Sequence, residues 1–231
     1  MLFRQLFEPI TSTYTYIIAS GYGREGLIID PVKEQMPTYL RILKELDLKL
    51  VHAIDTHTHA DHVTALGELR DTTQCSTMMG NHSKAECVSV YLNDNELINI
   101  DGIELKSLYT PGHTNESFSF YLQKGGVGMV FTGDTLLIRG SGRTDFQNGS
   151  AVDSYHSITR RLFTLPEETL MYPGHDYNGW TASSIFEEKR YNPRLAGKSL
   201  EAYVDIMDNL HLPNPKLMDI AVPANLACGN P

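Results

Sequence analysis

The chain has 231 residues, of which 41% are hydrophobic and 20% charged, the balance of a globular protein with a sizeable core, and one domain is the expectation. The formal net charge of -9, without any grouped Lys and Arg, speaks against a nucleic-acid surface, and no run approaches the roughly 20 apolar residues that a bilayer span needs. Residues 1–9 form too short an apolar run for a signal peptide and are too poor in Arg and Ser for a transit sequence, so a cytoplasmic location is expected, although a processed organellar protein would read the same.

Alternation over residues 11–18 predicts a strand, which Gly21-Tyr22-Gly23 turns toward a second strand at 27–29, forming an opening hairpin. Residues 36–46 carry apolar positions at helical spacing, and 49–54 read as a buried strand running into a His-rich segment. The Asp101-Gly102 pair lies between two strand-like runs, as a tight type I′ hairpin requires. Further strands are predicted at 105–109, 117–122, 128–132 and 169–172, and helices at 152–162, 181–190 and 200–210. No repeat or linker divides residues 1–231, and the Pro-rich stretch from Leu212 onward is expected to lie over the body.

The His-rich segment is Thr56-His57-Thr58-His59-Ala60-Asp61-His62. Imidazoles and a carboxylate crowded at a strand-to-helix junction are costly to assemble unless a cation compensates them, so the spacing predicts a metal site. Three more predicted strands end in a ligand type, at Gly112-His113, Gly133-Asp134 and Gly174-His175. In layered α/β architectures residues just past strand ends gather at one sheet edge, where sites are built. His52, His82, His156 and His211 lack such a setting and read as structural or exposed. The cysteines, Cys75, Cys87 and Cys228, are odd in number and contain no Cys-x-x-Cys pair, so no disulfide framework is expected and Cys75 and Cys87 read as buried or idle thiols.

Together, His57, His59, Asp61, His62, His113, Asp134 and His175 resemble the metal signature of the metallo-β-lactamase superfamily, and the resemblance runs along nearly the whole chain. It implies an α/β (α+β) fold, a four-layer αββα sandwich with the metal at one edge. That scaffold hosts hydrolases, oxidoreductases and nucleases, so substrate must be sought outside the signature. Gly142-Arg143-Thr144-Asp145-Phe146, Tyr172-Pro173-Gly174-His175-Asp176-Tyr177, Asn192-Pro193-Arg194 and Pro223-Ala224-Asn225-Leu226-Ala227-Cys228 resemble the persulfide dioxygenases, which oxidise glutathione persulfide with O2.

This second resemblance implies one Fe(II) per chain held by His57, His113 and Asp134, with zinc as a substitute occupant. His59, Asp61, His62 and His175 then orient the ligands or hold a second metal. Arg143 and Arg194 become candidates for the carboxylates of glutathione, with internal ion pairs to Asp145 and Asp176 as the structural alternative. Tyr177 is a candidate catalytic hydrogen-bonding group near the metal, Asp176 beside it fixes local geometry, and Cys228 is expected near the pocket. A homodimer follows from the resemblance alone. A glyoxalase II-like binuclear thioester hydrolase is the nearest alternative, against which stands the longer helical C-terminal domain typical of that family. A β-lactamase proper and a catalytically silent metal-binding or interaction module are further ones.

Overall fold

A computed structural model describes residues 1–124, 126–215 and 217–229. Among these residues the chain packs as two compact units, Met1–Leu92 with Ile98–Glu104 and Asn214–Pro231, and Asn93–Leu97 with Leu105–Pro213. No helix among them is long and apolar enough to cross a membrane.

The first unit is built on a six-stranded mixed sheet. β1 (Leu2–Glu8), β2 (Thr13–Ala19), β3 (Glu25–Ile29), β4 (Lys49–Ile54), β5 (Ser76–Gly80) and β6 (Val90–Leu92) lie side by side in chain order. The first three are antiparallel, as their short turns allow; β3 to β6 run parallel, which requires crossovers. Two crossovers are helical, α1 (Met36–Glu45) and α2 (Leu66–Thr73). Met36, Tyr39 and Leu43 form the buried stripe of α1, and they pack with Leu66 and Leu69 of α2 against Ile17, Ile28 and Leu50 of the sheet.

The second sheet has the order β12-β11-β10-β9-β8-β7, comprising β7 (Leu97–Ile100), β8 (Ile103–Tyr109), β9 (Phe118–Lys124), β10 (Val127–Phe131), β11 (Leu170–Tyr172) and β12 (Ser183–Ser184). β10 and β11 are paired in parallel, and α3 (Ala151–Arg160) lies in their crossover. α4 (Ile185–Tyr191) and α5 (Leu200–Asp208) follow. Ser150, Ser184 and Ser199 cap these three helices, each hydroxyl accepting a hydrogen bond from the backbone N–H three residues on. Val130, Met171, Ile158, Ile185 and Tyr203 belong to this unit's core.

Strand 49–54, helix 36–46 and the Asp101-Gly102 turn stand where the sequence places them, with φ of 49° and 78° at the two turn residues. The helix expected over 181–190 begins instead with β12, because Ser183 and Ser184 pair with Met171 and Leu170 before α4 starts. The stretch after Leu212 contains a helix, α6 (Met218–Leu226), despite Pro223 within it; Lys216, Asn230 and Pro231 lie outside the described residues. The cysteine reading is corrected. Cys87 and Cys228 form a disulfide across a separation of 141 residues, and only Cys75 is a free, buried thiol. Cys228 is therefore not a free thiol; it is 1% exposed and packs in the first unit's core.

Candidate metal centre

In the first unit, β4 delivers its chain directly into the loop that carries the histidines. His57, His59 and His62 are all buried, with ring centroids of neighbouring pairs 4.2 and 4.3 Å apart. The loop is set by Asp30, just past the end of β3, a residue the sequence reading did not single out. Its carboxylate accepts from Thr56 N at 2.7 Å, from Thr56 Oγ1 at 3.0 Å and from His59 Nε2 at 3.2 Å. A threonine hydroxyl has one hydrogen, and here Asp30 takes it. Thr56 Oγ1, 2.9 Å from His57 Nδ1, must then accept from that nitrogen. The relay fixes the tautomer of His57, placing the lone pair on Nε2, the state a metal ligand needs.

His59 differs from His57. Burial disfavours its charged form, but the Asp30 carboxylate, with Asp55 and Asp61 nearby, outweighs that and pushes its pKa up to about 9. His62 Nδ1 lies 3.0 Å from Asp61 Oδ2, and ligand atoms of His59, Asp61 and His62 lie within 4.8 Å of one another. The loop's backbone is gripped from α6, where Asn225 bonds Thr64 N, His59 O and His62 O at 2.8, 2.9 and 2.9 Å.

In the second unit, the ends of β8, β10 and β11 bring His113, Asp134 and His175 together. His113 Nδ1 lies 2.7 Å from the Arg143 carbonyl, which can only accept, so this histidine too carries its lone pair on Nε2. That nitrogen stands 3.6 Å from Asp134 Oδ2, too long for a hydrogen bond and a suitable spacing for two ligands of one cation. Asp134 Oδ1 is occupied by His175 Nδ1 at 2.7 Å. The donor types, imidazole nitrogen and carboxylate oxygen, suit Fe(II) or Zn(II).

Two glycines admit this geometry. A Cβ on Gly142 would lie 2.2 Å from the Asp134 carbonyl oxygen and 2.8 Å from His113 Nδ1, and one on Gly174 would lie 2.6 Å from Asp134 Oδ1. Gly174→Ala is therefore expected to displace the carboxylate and weaken metal binding about 10–100-fold, the scale of disturbing a ligand's support. Metal titration beside circular dichroism checks this, since the fold should persist.

The substrate candidates divide. Arg143 donates Nε and Nη2 to Asp145, both at 2.7 Å, and Nη1 to the Pro213 carbonyl, with Phe146 under its guanidinium; the internal ion pair left open by the sequence is realised. The same pair holds the Asp145 carboxyl below the usual range. Half-buried Arg194 donates to Ser141 O at 2.5 Å, and burial lowers its pKa. Among the described residues no carboxylate pairs with it. Asp176 is buried and accepts from Asn178 N and Trp180 N, fixing the following loop. Tyr177 is 73% exposed and stacks parallel to the His175 ring at 6.1 Å.

Residues 9–175 match the model of the metallo-beta-lactamase superfamily. The mitochondrial persulfide dioxygenase ETHE1 of Homo sapiens is 45% identical over 230 residues, covering 99% of this chain and 89% of the relative. The crystal structure of ETHE1 from Myxococcus xanthus superposes with a TM-score of 0.96 at 53% identity, covering all of both chains. A probable hydroxyacylglutathione hydrolase of Schizosaccharomyces pombe is 35% identical over 166 residues, covering 71% of this chain and 64% of the relative. The expected fold class is borne out as the α/β fold of that superfamily, with two mixed sheets and their helices. The chain belongs to the metallo-β-lactamase superfamily and, within it, to the persulfide dioxygenases.

Proposed function

We propose that the chain is an Fe(II)-dependent persulfide dioxygenase converting glutathione persulfide, O2 and water to sulfite and glutathione, with residues 1–231 acting as one catalytic domain. The observation that carries this is the 45% identity to the human persulfide dioxygenase across 99% of the chain, where the thioester hydrolase relative is matched over only 71%.

In this reading His57, His113 and Asp134 hold the iron. Bound there, Fe(II) would supply redox chemistry with O2 and coordination positions for both reactants. The protein's part is to present ligands that need not reorganise. Asp30 and Thr56 lock His57, and the Arg143 carbonyl locks His113, each with Nε2 as the ligating atom. His175 occupies one oxygen of Asp134 and so favours ligation through the other. His59, Asp61 and His62 tune the loop's charge and orientation. Tyr177 hydrogen-bonds the substrate beside His175, and Asp176 keeps that loop in place.

Glutathione carries two carboxylates, and a half-buried guanidinium without a counter-charge is suited to one of them. This makes Arg194 the stronger of the two arginine candidates, while Arg143 would have to share its guanidinium with Asp145. Arg194→Lys is expected to raise KM for glutathione persulfide about tenfold or more, the scale of a charge-assisted hydrogen bond. A small alkyl persulfide lacking the carboxylates should show no such rise in steady-state oxygen uptake.

The proposed setting is the cytoplasm or an organelle interior, the human relative being named mitochondrial, and the proposed assembly is a homodimer, which sedimentation measures. Anaerobic loading with Fe(II), then parallel assays of glutathione persulfide in an oxygen electrode and of lactoylglutathione hydrolysis, tests the function. Oxygen uptake with sulfite formation is expected; thioester cleavage without oxygen uptake would sink the proposal.

A further inference from the structure

Within the first unit, the segment following Asn214 is tied to the His-rich loop at several points. Asn225 spends both amide hydrogens on the carbonyls of His59 and His62 and accepts from Thr64 N. Just past α6, Cys228 O accepts from Gly67 N at 2.9 Å and Gly229 O from Lys33 Nζ at 2.5 Å. Gly229 adopts φ +79° with its Cα against Thr64 O, where a Cβ would stand 2.0 Å away.

Apolar burial, which secures most protein helices, contributes little here. Of the nine residues of α6 only Ala221 and Asn225 are fully buried, and Ile220 is 64% exposed. The helix is held instead by polar contacts and by the Cys87–Cys228 bond, which anchors its end to the segment between β5 and β6. The two sulfurs differ in access. Cys87 is half-buried, whereas Cys228 is 1% exposed.

We propose that Cys87–Cys228 is a thiol-exchange site that controls how firmly Asn225 holds the metal loop. A low-molecular-weight thiolate attacks Sγ of Cys87, the sulfur–sulfur bond breaks, and Cys228 leaves as thiolate. The resulting mixed disulfide on Cys87 is attacked by a second thiol, giving Cys87 thiol and a small-molecule disulfide; two thiols are oxidised and one protein disulfide is reduced. With the bond open, α6 loses its covalent anchor and Asn225 its fixed position, so the loop binds metal less tightly. Thiols of this class include the glutathione that the proposed reaction releases. The effect on metal rests on the metal-centre reading above, but the loosening of the loop does not.

The test uses the full chain, metal-free, either oxidised or reduced with dithiothreitol that is then removed anaerobically. Thiol titration in denaturant should rise from one group to three. The amides of Thr64 and Gly67, which donate to Asn225 and Cys228, report the clasp by hydrogen exchange, and competition with a coloured chelator reports Fe(II) affinity. Reduction should speed exchange at both amides and weaken Fe(II) binding, each about 10–100-fold, and reoxidation should restore both. Cys87→Ser should mimic the reduced state and ignore dithiothreitol; if it fails to fold, the reduced native chain still decides. Unchanged exchange, unchanged iron affinity, or three thiols titrating in the oxidised protein would each overturn the proposal. If neither state binds iron, the metal-centre reading fails, while amide exchange still decides whether the clasp responds to thiols.

Discussion

Replacing His57, His113 or Asp134 by Ala is expected to leave a folded protein that retains no iron through gel filtration and takes up no oxygen, whereas His62→Ala keeps much of its iron. The difference follows from how each side chain is held. His57 and His113 each have Nδ1 committed to a protein oxygen, which puts the lone pair on Nε2, and Asp134 has one oxygen 3.6 Å from His113 Nε2 while the other is bound to His175. In the proposed site, removing any of the three would delete a ligand from a set of three. His62 instead leans on Asp61, so its loss should cost only about 10–100-fold, as for an outer partner. Colorimetric iron determination, with circular dichroism to confirm folding, distinguishes the cases. Equal iron loss in all four variants would point to a binuclear site.

The largest effect on stability is expected at Arg139. Glu188, in α4, is completely buried, and its carboxylate is surrounded by donors: Arg139 N at 2.9 Å, Asn192 Nδ2 at 2.9 Å, Ser183 Oγ at 2.5 Å and the Arg139 guanidinium. That guanidinium also pairs with Glu187 and lies over the rings of Trp180 and Tyr191. Arg139→Leu leaves the Glu188 charge buried without its cation, a loss of about 3–5 kcal/mol. For a chain of this length the melting temperature should fall by on the order of 10 °C. Adding Glu188→Gln removes the stranded charge and should recover much of the loss, a coupling that a double-mutant cycle measures. Additive losses would show that the pair is not a unit.

Much of the site could be read from the sequence because its residues follow a local rule. An apolar run that stops at a ligand type, with Gly or Pro before it, marks a strand entering a sheet edge, and His113, Asp134 and His175 all show it. Asp30 meets only half of this rule: it ends the apolar run Leu27-Ile28-Ile29 directly, with no Gly or Pro before it, and a lone aspartate at a strand end is by itself a weak signal. Asn225 carries no such signal. Its role depends on α6 reaching a loop more than 160 positions earlier, and Pro223 hides the helix that carries it. The disulfide was illegible for a related reason, since Cys87 and Cys228 are brought together only by tertiary structure. The missed elements are short or weakly patterned. β1 is an edge strand whose Arg4 and Gln5 blur its alternation, and α2 is an eight-residue helix with only Leu66, Gly67 and Leu69 buried.

The most direct measurement is the ratio of O2 consumed to sulfite formed when anaerobically iron-loaded protein turns over glutathione persulfide. A persulfide dioxygenase consumes one O2 for each sulfite and each glutathione released, and the turnover vanishes when iron is removed and returns when it is restored. Glutathione release without matching oxygen uptake, or turnover that survives iron removal, would contradict the assignment.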